Sequence, residues 1–223
     1  MAAEVLPHLE ITAGLSPSAS IIWLHGLGAD GHDFESIVGE LSLPDELSVR
    51  FILPHAPSMA VTINNGYVMP AWYDIAHPDL ATNEDEAGIR HTQKAIEKLI
   101  QHETDRGIPS ERIILAGFSQ GGAIALQTGL RYSGRLAGIL ALSTYLPLQS
   151  TFTNEASHTN GHLPIFMAHG SSDTVIPISK AVASKNLLLE NHYNVEWHEY
   201  AMAHSLCQEE ISDINDWLIR VLR

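Results

Sequence analysis

The chain has 223 residues, 45% of them hydrophobic, so one compact domain spanning 1–223 with a real core is expected and wholesale disorder is excluded. With 26 Asp and Glu against 12 Lys and Arg, the formal net charge of -14 argues against nucleic acid as a partner and against charge-held attachment to an anionic membrane. Cys207 stands alone, which excludes an internal disulfide framework and a cysteine-based zinc cluster. Met1-Ala2-Ala3-Glu4 carries neither a basic segment nor a signal-peptide run, and Ala2 stands where myristoylation needs glycine. No apolar stretch approaches the roughly 18 residues of a membrane span. A reducing, cytoplasmic setting is expected.

Along the chain, short apolar runs alternate with longer segments of helical spacing. The first run, Ser20 to Leu24, leads into His25-Gly26-Leu27-Gly28-Ala29-Asp30-Gly31. Its glycines look superficially like a phosphate loop. However, no acid follows at a strand end about 20 residues on and no Gly-Lys-Ser is present, so nucleotide binding explains them poorly. A second strand is expected at Val49 to Leu53. Pro54 to Ala81, with four prolines, shows no sustained periodicity. Between Asn83 and Arg106, Ile89, Ile96, Leu99 and Ile100 form one apolar stripe, and Asn83 with Glu86 resembles a capping-box start.

Arg112 to Gly117 is the next strand, followed at once by Gly117-Phe118-Ser119-Gln120-Gly121. This G-x-S-x-G sequence permits a sharp strand-to-helix turn that presents the Ser119 hydroxyl above the sheet and aims the Gln120 N–H at a forming oxyanion. A glycine-rich turn without chemistry is the plainer alternative for five residues alone. Further strands are expected at Leu136 to Leu142, Pro164 to Ala168 and Asn194 to Tyr200, with a polar irregular stretch from Gln149 to His162. Ser205 and Gln208 resemble a helix start ahead of Ile211, Ile214, Trp217, Leu218 and Val221. Runs such as Ile113-Ile114-Leu115-Ala116 are apolar without alternation, as in strands buried on both faces. The whole predicts an α/β domain with a mostly parallel central sheet flanked by helices.

A serine nucleophile needs a base, and the base an orienting acid, in the order serine, acid, histidine. Asp173 lies in the turn beyond the Pro164 to Ala168 strand. A helix cap is its simpler reading when taken alone. His204 is the one histidine after Asp173 in the loop beyond the last strand. Three candidates in three expected loops point to a Ser119-His204-Asp173 triad, with the backbone N–H groups of Leu27 and Gln120 as oxyanion donors.

These residues resemble the phospholipase/carboxylesterase family that includes acyl-protein thioesterases. The resemblance rests on Leu24-His25-Gly26-Leu27-Gly28, Met69-Pro70-Ala71-Trp72-Tyr73-Asp74-Ile75, Gly117 to Gly122, Leu142-Ser143-Thr144-Tyr145 and the Asp173 and His204 loops. It implies an α/β-hydrolase fold and an enzyme that cleaves carboxyl esters or thioesters through an acyl-enzyme, without cofactor or metal. It also implies an acyl groove along Val61 to Ile75 that includes Trp72 and Ile75. The expected substrate is a small acyl ester or thioester, an acylated protein or a lysophospholipid, and the expected state is a monomer or weak homodimer. Ser58-Met59-Ala60-Val61 departs from the family's Arg-Pro-Val, and Ala201 and Ala203 stand where members have Pro and Gly. The competing readings are a non-catalytic relative that binds an apolar ligand or a protein, and a metal hydrolase suggested by 13 histidines. Against the second, the histidines are scattered and no H-E-x-x-H occurs. Cys207, just inside a helix, reads as packing rather than as a nucleophile.

Overall fold

The uninterrupted apolar runs become the middle of a sheet covered on both faces. The computed structural model describes residues 5–14, 16–44 and 46–223, so the expectations drawn from Met1 to Glu4 lie outside the described residues. The strands are β1 (His8–Ala13), β2 (Ala19–Leu24), β3 (Val49–Pro54), β4 (Ser58–Val61), β5 (Tyr67–Pro70), β6 (Ile113–Phe118), β7 (Gly138–Leu142), β8 (Pro164–Gly170) and β9 (Asn194–Tyr200). The α-helices are α1 (Glu35–Glu40), α2 (Glu86–Asp105), α3 (Gln120–Arg131), α4 (Gln149–Glu155), α5 (Ile178–Glu190) and α6 (Gln208–Leu222). Seven strands form one sheet in the order β1-β3-β2-β6-β7-β8-β9, all parallel except β1 against β3.

Side chains alternate between two cores along each central strand. Ile22 and Leu24 of β2, with Ile113 and Leu115 of β6, face α2, α3 and α5. Ile21 and Trp23, with Ile114 and Ala116, face α1 and α6. The α2 stripe of Ile89, Ile96, Leu99 and Ile100 is fully buried, as its spacing requires. At the edge, Arg50 and Arg106 bridge Glu10 of β1 to the buried Glu103 of α2, which also accepts from Ser20.

Several local expectations change. Asp85, not Asn83, caps α2: its side chain accepts from the Gly88 N–H at 2.9 Å, while Asn83 turns through a left-handed φ of 53°. Cys207 occupies the N-cap of α6 without a side-chain bond, so Ser205 does not cap it. The irregular Pro54 to Ala81 stretch holds the antiparallel β4–β5 hairpin, and Gln149 to His162 holds α4. β1 also lay outside the predicted strands.

Strand order locates the site. The chain passes from β2 to β3 on one side of the sheet, whereas β6 leads to β7, β8 and β9 on the other. β2 and β6 are therefore the adjacent strands at which the winding reverses, and ligands bind outside the carboxyl ends of such a pair. The loop 25–31 and Ser119 emerge at those two ends.

Candidate active site

Ser119 follows β6 with φ 55° and ψ -122°, a conformation that costs a non-glycine residue about 1–3 kcal/mol and persists only where neighbours enforce it. The neighbours are specific. The Ser119 N–H donates to the Leu142 carbonyl at 2.9 Å, and the Ser119 carbonyl accepts from the Ala123 N–H at 3.1 Å and from Thr144 Oγ1 at 2.6 Å. The turn closes only with glycine on both flanks. A Cβ on Gly117 would lie 2.3 Å from the Gly121 carbonyl carbon, and one on Gly121 would lie 2.3 Å from the Leu24 carbonyl oxygen.

The three triad candidates meet. The Ser119 hydroxyl is 2.9 Å from His204 Nε2, and His204 Nδ1 is 2.6 Å from Asp173 Oδ2. In the tautomer this chain selects, Ser119 O–H donates to Nε2 and Nδ1–H donates to the carboxylate. Asp173 Oδ1 accepts from the Val175 and Ile176 N–H groups at 2.8 and 2.9 Å. The aspartate thus shapes its own turn as well as facing the histidine. Its other neighbour is the buried His169, whose Nε2 lies 3.4 Å from Asp173 Oδ2 and donates to the Ile176 carbonyl at 2.8 Å. Burial lowers the pKa of His169 and favours a neutral ring beside the carboxylate. The Phe118 ring packs tilted against His204 with centroids 4.7 Å apart.

The loop after β2 runs beside the serine: a Cβ on Gly26 would stand 3.5 Å from Ser119 Cβ. Among the described residues, neither the Leu27 nor the Gln120 N–H has a protein partner. His25 anchors this loop from inside. Its Nε2 accepts from the Ala56 N–H at 3.1 Å and its Nδ1–H donates to the Gly26 carbonyl at 2.8 Å. Burial lowers its pKa, in keeping with the neutral ring this pairing needs.

Trp72, expected to line an acyl groove, is buried against the oxyanion loop. It is 2% exposed, and its indole N–H donates to the His25 carbonyl at 2.8 Å. Its backbone N–H donates to Gln120 Oε1 at 2.8 Å, and Gln120 Nε2 donates to the Tyr73 carbonyl at 2.7 Å. The Gln120 side chain therefore ties the elbow to the 72–73 segment, a role that the five-residue motif does not express. Ile75 is half-buried against the core, and its carbonyl accepts from the Ile63 N–H at the hairpin base.

Sequence reading also missed the register of the β4–β5 hairpin over the loop. The Gly28 N–H donates to the Pro70 carbonyl at 2.9 Å, and Met69 Sδ approaches Gly28. Ile63, Tyr67 and Val68 leave apolar surface exposed on this hairpin. The signal was present in Asn65-Gly66, whose φ values of 55° and 76° make the turn. Ser58 to Val61, the departure from the family pattern, forms its first strand. Ala201 and Ala203 are accommodated without strain, since neither has a positive φ. The Ser172 N–H, donating to the Met202 carbonyl at 3.0 Å, holds the His204 loop to the Asp173 loop.

The phospholipase/carboxylesterase family pattern matches residues 7–222. The chain belongs to that family. It is by class a carboxylic ester hydrolase. It is 45% identical over 221 residues to "Acyl-protein thioesterase 1" of Neurospora crassa, covering 95% of this chain and 90% of that protein. The protein of the same name in Mycosarcoma maydis is 42% identical over 225 residues, covering 94% of each. Among solved structures, Arabidopsis thaliana SOBER1 superimposes with a TM-score of 0.87 at 30% identity, covering 92% of this chain and 99% of that one. Zea mays acyl-protein thioesterase 2 gives 0.82 at 28%, covering 96% and 99%. Among the described residues, no helix is long and apolar enough to cross a membrane.

Proposed function

We propose that the protein is a single-domain cytoplasmic serine esterase/thioesterase working through Ser119, His204 and Asp173 and a covalent acyl-enzyme. The observation that carries this reading is the unbroken hydrogen-bond chain from Asp173 through His204 to the Ser119 hydroxyl. Ser119 Oγ attacks the acyl carbonyl carbon while His204 Nε2 takes its proton. The carbonyl oxygen becomes an oxyanion held by the Leu27 and Gln120 N–H groups, each worth about 10²–10³ in rate. Collapse expels the alcohol or thiol, which receives the proton from His204. Water, deprotonated by the same nitrogen, then attacks the acyl-serine and releases the carboxylic acid and free Ser119.

The apolar hairpin surface of Ile63, Tyr67 and Val68 beside the oxyanion loop suits an acyl chain, with Ile75 bracing its base. Names of the fungal relatives favour an acylated protein as the physiological substrate, carried to this chain as part of the proposal. Ser119→Ala should retain the wild-type melting temperature, lose fluorophosphonate labelling and lose turnover of p-nitrophenyl esters from acetate to dodecanoate. A dependence of kcat/KM on acyl length in the wild type would size the groove. Retained turnover in Ser119→Ala would overturn the mechanism, and a wild type that neither labels nor turns over would instead be a binder of apolar ligands.

A further inference from the structure

Three metal-ligating side chains distant in sequence converge at the end of the loop that carries the Leu27 N–H. Asp30 and His32 flank Gly31 at the start of a single 3-10 turn, and His55 follows β3. One ligand atom from each of Asp30, His32 and His55 lies within 4.8 Å of the other two, and the two imidazole centroids are 5.5 Å apart. We propose that these residues form a binding site for a divalent ion of the zinc and cobalt class, one that loosens the oxyanion loop when occupied.

Chemistry selects the ion. Two imidazoles and one carboxylate suit borderline transition metals, whereas Mg²⁺ and Ca²⁺ call for oxygen ligands. Three protein ligands with water in the fourth place make a tetrahedral zinc site. Bonds of about 2.0–2.1 Å set ligand atoms roughly 3.4 Å apart, so the widest separation closes by at most about 1.4 Å. The Asp30 and His32 side chains, 52% and 58% exposed, have room to close on the half-buried His55. His32 Nδ1–H already donates to Asp30 Oδ1 at 2.9 Å. Those two atoms therefore already stand near ligand spacing, and an ion between them takes the place of the proton they share.

His55 provides the coupling. Its Nδ1 accepts from the Gly31 N–H at 3.2 Å. An ion on Nδ1 displaces that donor. An ion on Nε2 sends the ring proton to Nδ1, which then no longer accepts. Either mode breaks the bond that fastens the loop to the end of β3. Gly31 is pressed so close to β3 that a Cβ there would lie 2.4 Å from the Leu53 carbonyl oxygen. Release of this fastening four residues after Leu27 disturbs the Leu27 N–H and slows acyl transfer. This consequence rests on the proposed role of Leu27, whereas the binding site itself does not.

The test is Co²⁺ titration of the whole, metal-free protein, read by visible absorption, with Zn²⁺ as competitor and with His32→Gln, His55→Gln and Asp30→Asn alongside. One equivalent of Co²⁺ should give tetrahedral-intensity bands that Zn²⁺ abolishes, and affinity should fall at least tenfold in His32→Gln and in His55→Gln. Asp30→Asn, an isosteric change at an exposed position, provides a third reading if a histidine variant unfolds. Wild-type affinity in folded variants would overturn the site. Zn²⁺ should lower ester kcat/KM several-fold in the wild type but not in His32→Gln. Inhibition that persists in His32→Gln would place the effect on His204 and overturn the coupling, as would saturation with no change in turnover. Absorption needs no substrate, so failure of the metal site and failure of the esterase reading are separately visible.

Discussion

Ser119 shows how one residue is held in a conformation it would not choose. Leu142, Ala123 and Thr144 each hold an atom of its backbone, and the strain places the hydroxyl against His204 Nε2. Asp173 has the complementary task. One oxygen builds its own turn through the Val175 and Ile176 N–H groups, and the other receives His204 Nδ1–H. Asp173→Asn can keep the turn, because the amide oxygen still accepts both backbone donors. Its NH₂ would then face Nδ1 as a donor and favour the tautomer that puts the ring proton toward Ser119. The expected outcome is a melting temperature near wild type with kcat lowered about 10³–10⁴-fold on a short p-nitrophenyl ester. Turnover within tenfold of wild type would assign the acid elsewhere. His169, the other histidine at Asp173, does not substitute for His204, because its N–H is engaged by the Ile176 carbonyl.

At the scale of elements, what was legible followed the strength of each local pattern. β6 and β7 announce themselves because both faces are buried and every residue is apolar or small. α2 and α6 are legible because one stripe of each meets the sheet. β1 is an edge strand, half-buried to exposed along its length, so His8 to Ala13 carries little hydrophobic signal. The hairpin was hidden by prolines at its margins, and α4 by its polar sequence, since Phe152 is its one buried residue. The meeting of Ser119, His204 and Asp173 was legible because three loops each carry one suitable residue in the expected order. The Trp72–Gln120 brace was not, because a side-chain amide that accepts from a backbone N–H 48 positions away leaves no local pattern. α4 is held instead by charge. Glu155 accepts from Arg131 Nε at 2.8 Å, Arg90 Nη2 at 2.7 Å and Thr151 Oγ1 at 2.8 Å. Burial works against its ionisation, but the two guanidinium groups and the threonine outweigh it and hold its pKa to about 2. Because that pKa is depressed, the stabilisation is full above the ordinary carboxylate range and is lost as pH falls toward 2. Glu155→Gln leaves the buried Arg131 uncompensated and should cost roughly 2–3 kcal/mol in urea unfolding at pH 7. The difference from wild type should shrink as the buffer is taken below pH 4. An equal cost at both pH values would mean packing, not charge, holds α4.

Across the whole molecule, the reversal of strand order between β2 and β6 brings the two oxyanion candidates to one place, and the loops after β8 and β9 deliver Asp173 and His204 from one side. The sheet thus supports the site, and the last helix closes the sheet's other core through Ile214, Trp217 and Leu218. That helix begins with an acid in the wrong surroundings. Glu210 is fully buried near the Cys207 N–H, without closing the hydrogen bond of a capping box, and both carboxyl oxygens lack a partner among the described residues. Burial raises its pKa to about 8, helped by the neighbouring Asp213. The sign of the linkage follows from the raised value. Below the ordinary carboxylate range both states are protonated and the group costs nothing in ionisation. Between that range and about pH 8 the unfolded chain releases a proton that the folded chain keeps, so stability falls as pH rises; above about 8 the loss is complete. Glu210→Gln removes the titration and retains the shape. It should raise stability by about 1–2 kcal/mol at pH 7.5, less than the full linkage because the new amide is also buried. At pH 4 it should give no gain. Thermal unfolding of both proteins across pH 4–9 measures the difference directly, and a pH-independent offset between the curves would show that Glu210 enters the fold already ionised and paired.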